Sequence, residues 1–301
     1  MPKLKQYFHL HFIIFIWGFT AVLGALIHLD YFSLTWNRMG LASFFLLLYI
    51  WMNKRERRLL MQFDLKMHLK YLLGGILIAL HWMAFFYAIK ISNVSITLIA
   101  MSSGAFFTSL LEPVFYKRKI YFYEILLGLL ILLGLYYVLK IEKIDFSGVF
   151  AALIAAFLSG LFTVMNGLYV REQSGVQLSF FQLFYGFLFL SFVMFVTGNF
   201  LQLSLPEGRD WLYLIILAVI CTAYAFTHSI SLMKDISPYT LMLSINLEPV
   251  YGIIMAVLIL GEKEKMSETF YLGGFIILAI ILLNTIIKFK KQKIPEKMLK
   301  S

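Results

Sequence analysis

The sequence predicts an all-α integral membrane protein: ten transmembrane helices in two inverted five-helix repeats, with both termini cytoplasmic. Three observations support this fold class. Of the 301 residues, 61% are hydrophobic and 14% are charged, whereas soluble domains have about 45–50% apolar and ~25% charged residues. The apolar residues fall into ten runs, each close to the ~20 residues that a helix needs to cross a bilayer. A short pattern also recurs at an offset of 144 residues.

The ten runs follow one another through linkers that are too short to hold a soluble domain. Lys3 and Lys5 precede the first run as in a signal peptide, but its length and the lack of a small-residue cleavage site predict an uncleaved helix. The predicted helices are His9–His28, Phe32–Met52, Leu69–Ile89, Val94–Tyr116, Tyr121–Leu139, Ser147–Tyr169, Ser179–Thr197, Trp211–Met233, Tyr239–Leu260 and Phe270–Lys288.

The distribution of lysine and arginine predicts the orientation. With the N-terminus inside, nineteen of the 26 basic residues lie in inner segments and six in outer ones, while Arg38 lies within a helix. Cytoplasmic loops carry such an excess, so both termini are predicted to be cytoplasmic. The net charge of +10 resides in short loops and the tail, which is typical of membrane orientation and excludes nucleic acid as the expected partner.

The repeated pattern divides the chain into two halves, predicted as residues 1–145 and 146–301. Residues 88–94 precede the fourth helix as residues 232–238 precede the ninth. Because each half holds five helices, an odd number, the second copy must be inverted in the membrane. Inverted repeats with a site at their interface are typical of secondary transporters.

An acid–proline pair inside the ninth helix is the main candidate for a transport site. Glu248 lies within the apolar run Tyr239–Leu260, where an ionisable side chain costs at least ~2.5–3.5 kcal/mol and usually faces a cavity or a partner. Pro249 cannot donate to the carbonyl of Ile245, which predicts a kink. Asn246 adds a polar group. The alternative is a structural kink whose neutral acid bonds to a neighbouring helix.

The fourth helix contains a second acid–proline pair, Glu112 and Pro113. Under the offset of 144, Glu112 corresponds to Ala256, so the two pairs are not equivalent. Glu112 can either belong to the site or pair with a basic side chain such as Lys117 near the membrane surface.

Small residues occupy the middle of the fourth helix, where Gly104 is the counterpart of Glu248. Ser102 and Ser103 precede it. Small residues at such a place allow helices to pack closely or leave room for a ligand. Both uses are open.

Five further residues are candidates for binding. Arg38 can bind a carboxylate or phosphate through its planar guanidinium, or extend to the outer headgroups. His81 and His228, in equivalent helices, can relay protons or hydrogen-bond a neighbouring helix. Trp17 and Tyr251 neighbour glycine or polar residues and are expected to line an aromatic cavity.

Several function classes find no support in the sequence. The single cysteine, Cys221, excludes an intramolecular disulfide and a metal–thiolate cluster. The sequence contains no HExxH motif, no Walker motif, no GxSxG motif and no dinucleotide-binding motif. The expected protein is therefore not an enzyme and has no metal or cofactor, and active transport would draw on an ion or substrate gradient.

The chain resembles the drug/metabolite transporter superfamily, specifically its EamA-type members. The residues that carry the resemblance are Trp17-Gly18, Arg38, Ala88-Ile89-Lys90, residues 246–250 and Leu260-Gly261-Glu262. The family implies a carrier of two five-helix repeats whose helices 3, 4, 8 and 9 line a central cavity, with helices 5 and 10 to one side. A departure is that Tyr116-Lys117-Arg118-Lys119 replaces the Gly-Glu that members often carry after helix four.

The sequence and the resemblance together predict a secondary exporter of a small organic metabolite, such as an amino acid or a drug-like compound, in the bacterial inner membrane. Glu248 is the hypothetical proton-coupling residue. The expected partners are the solute, the bilayer and a coupling proton, with no obligate protein partner. A passive uniporter or channel, an intramembrane lipid-modifying enzyme and a structural scaffold are the alternatives.

Overall fold

A computed structural model describes residues 4–60, 64–117, 122–142, 146–198, 203–280 and 283, and within these ranges the regular structure is helical. A π-helical segment, Val219–Tyr224, joins α10 to α11, and a 3-10 turn, Gly261–Glu264, follows α13. The α-helices are α1 Leu4–Leu26, α2 Tyr31–Met52, α3 Lys54–Leu60, α4 Leu65–Ile91, α5 Val94–Met101, α6 Gly104–Tyr116, α7 Phe122–Glu142, α8 Phe146–Tyr169, α9 Gly175–Thr197, α10 Asp210–Ala218, α11 Ala225–Leu232, α12 Pro238–Ile245, α13 Glu248–Leu260 and α14 Glu268–Ile280.

Seven helical units of the described chain are long and apolar enough to cross a membrane. They are α1, α4, α5 with α6, α8, α9, α10 with α11, and α12 with α13. The prediction of ten crossings goes beyond these seven and stays a prediction. The predicted helix start at Tyr121 and the stretch from 284 to Lys288 lie outside the described residues.

Two of these units are broken in the middle, and the breaks coincide under the predicted offset of 144. Residues 94–101 and 104–116 of the first unit correspond to 238–245 and 248–260 of the second. The caps correspond too: the Asn93 side chain accepts the Ile96 N–H and the Ser237 hydroxyl accepts the Thr240 N–H. Such caps satisfy N–H groups that a helix start leaves unbonded.

The broken helices lie against each other in an antiparallel crossing. At one end α5 packs on α13, and at the other end α6 packs on α12. The two breaks lie between these contacts. Helix α1 approaches α13 where a Cβ on Gly18 would lie 3.0 Å from the Gly252 nitrogen, so glycine at this position allows backbone contact. Helices α4, α8 and α9 pack together beside the crossing.

Candidate transport site

A cavity of about 80 Å³ lies between the two broken helices. Because a buried water needs roughly 10–15 Å³ by this measure, the cavity has room for several water molecules. Its walls come from both halves of the chain. Its apolar lining combines aliphatic residues and methionines with the aromatic side chains Trp17, Trp82, Phe85, Phe162 and Phe226. Its polar side chains are Thr20, Arg38, His81, Ser102, Ser159, Thr163, Asn166, Ser229, Asn246 and Glu248.

The break in the second half places three predicted site residues at the cavity. Glu248, Asn246 and Pro249 all line it. The helix stops at Ile245 and restarts at Glu248 with Pro249 in its first turn, where a missing N–H is tolerated. Glu248 is therefore the first residue of α13, and its carboxylate lies where the N-terminus of the helix favours negative charge.

Asn246 is buried and has an unsatisfied donor. Its side chain is 5% exposed, and its Nδ2 has no hydrogen-bond partner in the described structure. A buried donor without a partner costs about 1–3 kcal/mol. A bound solute or water at this position would recover that cost, so Asn246 is suited to contact a ligand.

Arg38 is buried at the cavity, 2% exposed, and does not extend to the membrane surface. Its Nε donates to Thr222 Oγ1 at 2.7 Å, and its guanidinium carbon lies 3.8 Å from the centre of the Trp82 ring. A desolvated cation–π contact of this kind contributes about 2 kcal/mol. The Nη1 atom has no partner within the described residues. Thr222 and Trp82 thus hold the guanidinium, while its Nη1 remains available to donate a hydrogen bond to a ligand.

No ion pair within 4 Å joins Arg38 to Glu248 among the described residues, although both side chains line the same cavity. A direct pair would have neutralised the site. The separation leaves a cavity with a cationic group on the α2 side and an acidic group on the α13 side.

The π-helical segment positions the partner of Arg38. Thr222 belongs to this segment, and its hydroxyl donates to the Leu217 carbonyl at 2.7 Å while accepting from Arg38. Trp17 Nε1 donates to the carbonyl of Cys221 in the same segment at 3.2 Å. Such π turns occur often at functional sites because they change the direction of side chains and free backbone groups.

His81 lines the cavity and is 7% exposed. Its Nδ1 lies 2.8 Å from the carbonyl oxygen of Ala155 in α8. With a proton on Nδ1, this contact is a hydrogen bond that holds the ring against α8. The predicted helix-to-helix hydrogen bond of His81 is therefore present in the structure. His81 therefore lines the cavity and also forms a structural hydrogen bond.

Three other predicted site residues, Tyr251, His228 and Ser103, lie outside the cavity lining. Tyr251 packs edge-on against Phe15, with ring centres 5.7 Å apart, because its position on α13 faces α1. His228 faces His9, with ring centres 5.1 Å apart. Ser103 is fully buried, and its hydroxyl donates to the Ala100 carbonyl. The expectation that Tyr251 lines the cavity is wrong.

Glu112 also lies outside the cavity lining and is buried at 6% exposure. Its Oε1 lies 3.4 Å from the backbone nitrogen of Tyr239, at the start of α12. A lipid-modifying enzyme would need Glu112, His81 and His228 to share one site. Only His81 of the three lines the cavity, so the structure does not assemble that site.

Sequence reasoning missed the contribution of α8. Ser159, Thr163 and Asn166 line the cavity, and their spacing of four and three residues puts them on one helix face. That polar spacing in an apolar run was the signal available. Asn166 also exchanges two amide hydrogen bonds with Gln182, at 2.6 and 3.1 Å, which links α8 to α9.

The resemblance implies a cavity lined by helices 3, 4, 8 and 9, and the observed cavity is lined by these helices and by further ones. The four implied helices correspond to α4, α5 with α6, α10 with α11, and α12 with α13. The additional helices that line the cavity are α1, α2 and α8. Among the described residues of α7 and α14 none lines it. Within the described chain no group of three or more His, Cys, Asp or Glu could hold a metal ion.

Comparison with known proteins assigns the family. A sequence model of the EamA-like transporter family matches residues 7–140 and 146–286, one match in each half. A solved crystal structure shares the fold, with a TM-score of 0.68 and 15% identity over 95% of this chain and 98% of that chain. No curated protein matches. The chain therefore belongs to the EamA-like transporter family of the drug/metabolite transporter superfamily, and it is a multi-pass membrane transporter with two repeats, not an enzyme.

Proposed function

We propose that the chain is a secondary carrier that exports a small organic solute across the bacterial inner membrane in exchange for protons. Both termini are cytoplasmic in this proposal, and each half of the chain supplies one five-helix repeat. The cavity between the broken helices alternately opens to the two sides of the membrane. One observation carries the proposal: Glu248 and Arg38 face a single cavity at the breaks of the two helices.

The cavity chemistry supports a solute with a charged or strongly polar group on a partly apolar body. Arg38 presents a free donor that suits a carboxylate or phosphate oxygen. Glu248 suits a proton or a cationic group. The aromatic walls suit an apolar or aromatic side group. An amino acid or a drug-like zwitterion combines these features.

The size of the cavity supports a closed state between the two open ones. Pockets for drug-sized ligands usually have about 300–1,000 Å³, against about 80 Å³ here. A solute larger than a few water molecules would therefore require the helices to separate before it can bind. Binding sites between inverted repeats gain their access through such rigid-body movement.

Transport by reconstituted protein tests the proposal. Vesicles containing the wild type or Glu248→Gln are offered a panel of radiolabelled zwitterionic, cationic and neutral metabolites, with and without an acidified lumen. An exchanger of protons for solute accumulates its substrate when the lumen is acidic. We expect gradient-driven accumulation of a panel member by the wild type and its loss in Glu248→Gln, because glutamine cannot release a proton.

Glu207→Gln is the matched control, since Glu207 is exposed in the segment before α10. It should retain wild-type accumulation. Downhill flux that ignores the gradient, in both the wild type and Glu248→Gln, would indicate a uniporter and would contradict the proton-coupling role. Failure of the folded wild type to move any panel member would contradict the proposed substrate classes.

A further inference from the structure

A buried carboxylate joins the two halves of the chain at one end of the crossing. Glu264 ends the 3-10 turn after α13 and is 4% exposed. Its Oε1 accepts the Val94 N–H at 3.0 Å, and its Oε2 accepts both the N–H and the hydroxyl of Ser95, each at 3.0 Å. A carboxylate from the second half thus caps the first turn of α5 in the first half.

The binding chemistry makes this a strong contact between two rigid elements. Hydrogen bonds to a charged group are stronger than those between neutral groups. The N-terminus of α5 also favours negative charge. Breaking the contact would leave Glu264 buried and unpaired or force it into water.

An analogous contact exists at the opposite end of the crossing. Glu112 on α6 of the first half points to the start of α12 in the second half, where its Oε1 lies 3.4 Å from the Tyr239 nitrogen. Ser95 and Tyr239 are the second residues of α5 and α12, and they correspond under the offset of 144. Each half therefore sends one glutamate to the equivalent helix start of the other half.

The two glutamates do not correspond to each other in sequence. Glu112 lies within α6, four residues before its end, whereas Glu264 lies four residues beyond the end of α13. A contact between a glutamate and a helix start thus occurs twice, from positions that are not equivalent in the repeat. This recurrence points to a requirement for the contact itself. The cavity lies between them, because α5 and α12 both line it and their first turns are the capped ones.

We propose that Glu264 and Glu112 are positioning residues that hold the two ends of the carrier closed, Glu264 at the outer side and Glu112 at the inner side. Opening to the outside separates α5 from α13 and breaks the Glu264 contacts. Opening to the inside separates α6 from α12 and breaks the Glu112 contact. The inference rests on the proposed carrier function and orientation, and both contacts are present in the described structure.

The single cysteine of the chain provides a reporter of opening. Cys221 lines the cavity and is 1% exposed, so a charged, membrane-impermeant methanethiosulfonate reaches it only when one end opens. Labelling rates are measured in right-side-out and in inside-out membrane vesicles. The readout requires no knowledge of the substrate and no transport.

Glu264→Gln is the test variant because an amide nitrogen would face either the Val94 N–H or the two Ser95 donors, donor against donor. We expect labelling of Cys221 in right-side-out vesicles to accelerate by about tenfold or more, the equivalent of one lost charged hydrogen bond. Labelling in inside-out vesicles should not accelerate. Glu112→Gln should show the opposite preference, with faster labelling in inside-out vesicles.

Glu262→Gln is the matched control, two residues away on the same turn. Glu262 is exposed and pairs with Lys265, and this hydrogen bond raises the pKa of Lys265 outside the membrane-spanning helices. Since Lys265 stays protonated at neutral pH with or without Glu262, the control removes a surface pair only. Its labelling rates should match the wild type on both sides.

Ser95→Ala is a second variant that keeps the carboxylate and removes one donor, so it should fold even if Glu264→Gln does not. We expect a smaller acceleration on the same side. Unchanged labelling in folded Glu264→Gln and Ser95→Ala, or acceleration on the inner side, would overturn the proposal. If the wild type transports while labelling fails to respond, the carrier function stands and the closing role falls. If the wild type moves no panel member while both variants accelerate labelling on the outer side, the closing role stands and the proposed substrate classes fall.

Discussion

The two broken helices of this protein have the same bounds relative to the repeat but are broken by different chemistry. In the second half the break precedes Pro249, whose missing N–H ends the hydrogen-bond ladder. In the first half no proline is near the break. There the hydroxyls of Ser102 and Ser103 donate to the carbonyls of Ile99 and Ala100, at 2.6 and 2.7 Å, and so satisfy groups that the helix would otherwise use.

The comparison also separates a proline that breaks a helix from one that does not. Pro113 lies inside α6, and α6 continues past it to Tyr116. Proline content alone therefore did not decide where the chain breaks. What the two breaks share is their place at the cavity, lined by Ser102 in one half and Asn246 in the other. The position of the break is therefore common to both halves, whereas an acidic residue at the break, Glu248, is present only in the second half.

The largest expected effect concerns the acid that only the second half carries. Glu248→Gln should lower solute transport at least ~10-fold, because a lost interaction with a charged group costs about 1.5–3 kcal/mol. Gly104→Ala, at the equivalent place, should keep transport within about twofold, since its Cβ would meet mainly the mobile end of Met242 at 2.9 Å. Equal losses in both variants would contradict the asymmetry.

The two prolines should differ in their effect on transport. Pro249→Ala restores an N–H and lets the helix run through the break, which should lower the transport rate several-fold, about 1 kcal/mol in barrier. Pro113→Ala also restores an N–H, but in a helix that is already continuous. Its transport should remain near the wild type, with an unchanged or higher melting temperature in detergent. A larger loss for Pro113→Ala would reverse the assignment.

The helix caps should be equivalent in stability. Asn93→Ala and Ser237→Ala each remove one side-chain cap from the start of a broken helix. Each should lower the free energy of unfolding by ~1 kcal/mol. Thermal melting in detergent measures the difference, with Ser204→Ala as a control for ordinary serine loss, because Ser204 is exposed and only its backbone is hydrogen-bonded to the described residues. A cost for one variant alone would show that the two helix starts are not equivalent.

The smallest effect is expected from the serine hydroxyls at the first break. Ser103→Ala removes the bond to the Ala100 carbonyl at a buried site outside the cavity lining. The expected cost in the free energy of unfolding is about 0.5–1.5 kcal/mol, with transport unchanged. Ser102→Ala should cost a similar amount and also alter substrate affinity, because Ser102 lines the cavity. Titration of the transport rate with substrate separates the two variants.

Much of the fold was predictable because it depends on local sequence. Bilayer thickness fixes the length of an apolar run, so most predicted helices lie within a few residues of the observed ones. The offset of 144 was readable because the two halves retain a short common pattern. Glu248 and Asn246 were identified because a polar residue in an apolar run requires a partner or a cavity.

The sequence by itself determined the membrane class, the repeat and the position of the second break. Only the tertiary structure decided which side chains meet. Arg38 reaches Thr222 across 184 positions of the chain, in a π-helical segment without a sequence signature. Glu264 caps α5 from 169 positions away. Helix periodicity is local and is written in the sequence. The rotation of each helix about its axis, which took Tyr251 away from the cavity and brought Asn166 to it, results from the packing of all its neighbours.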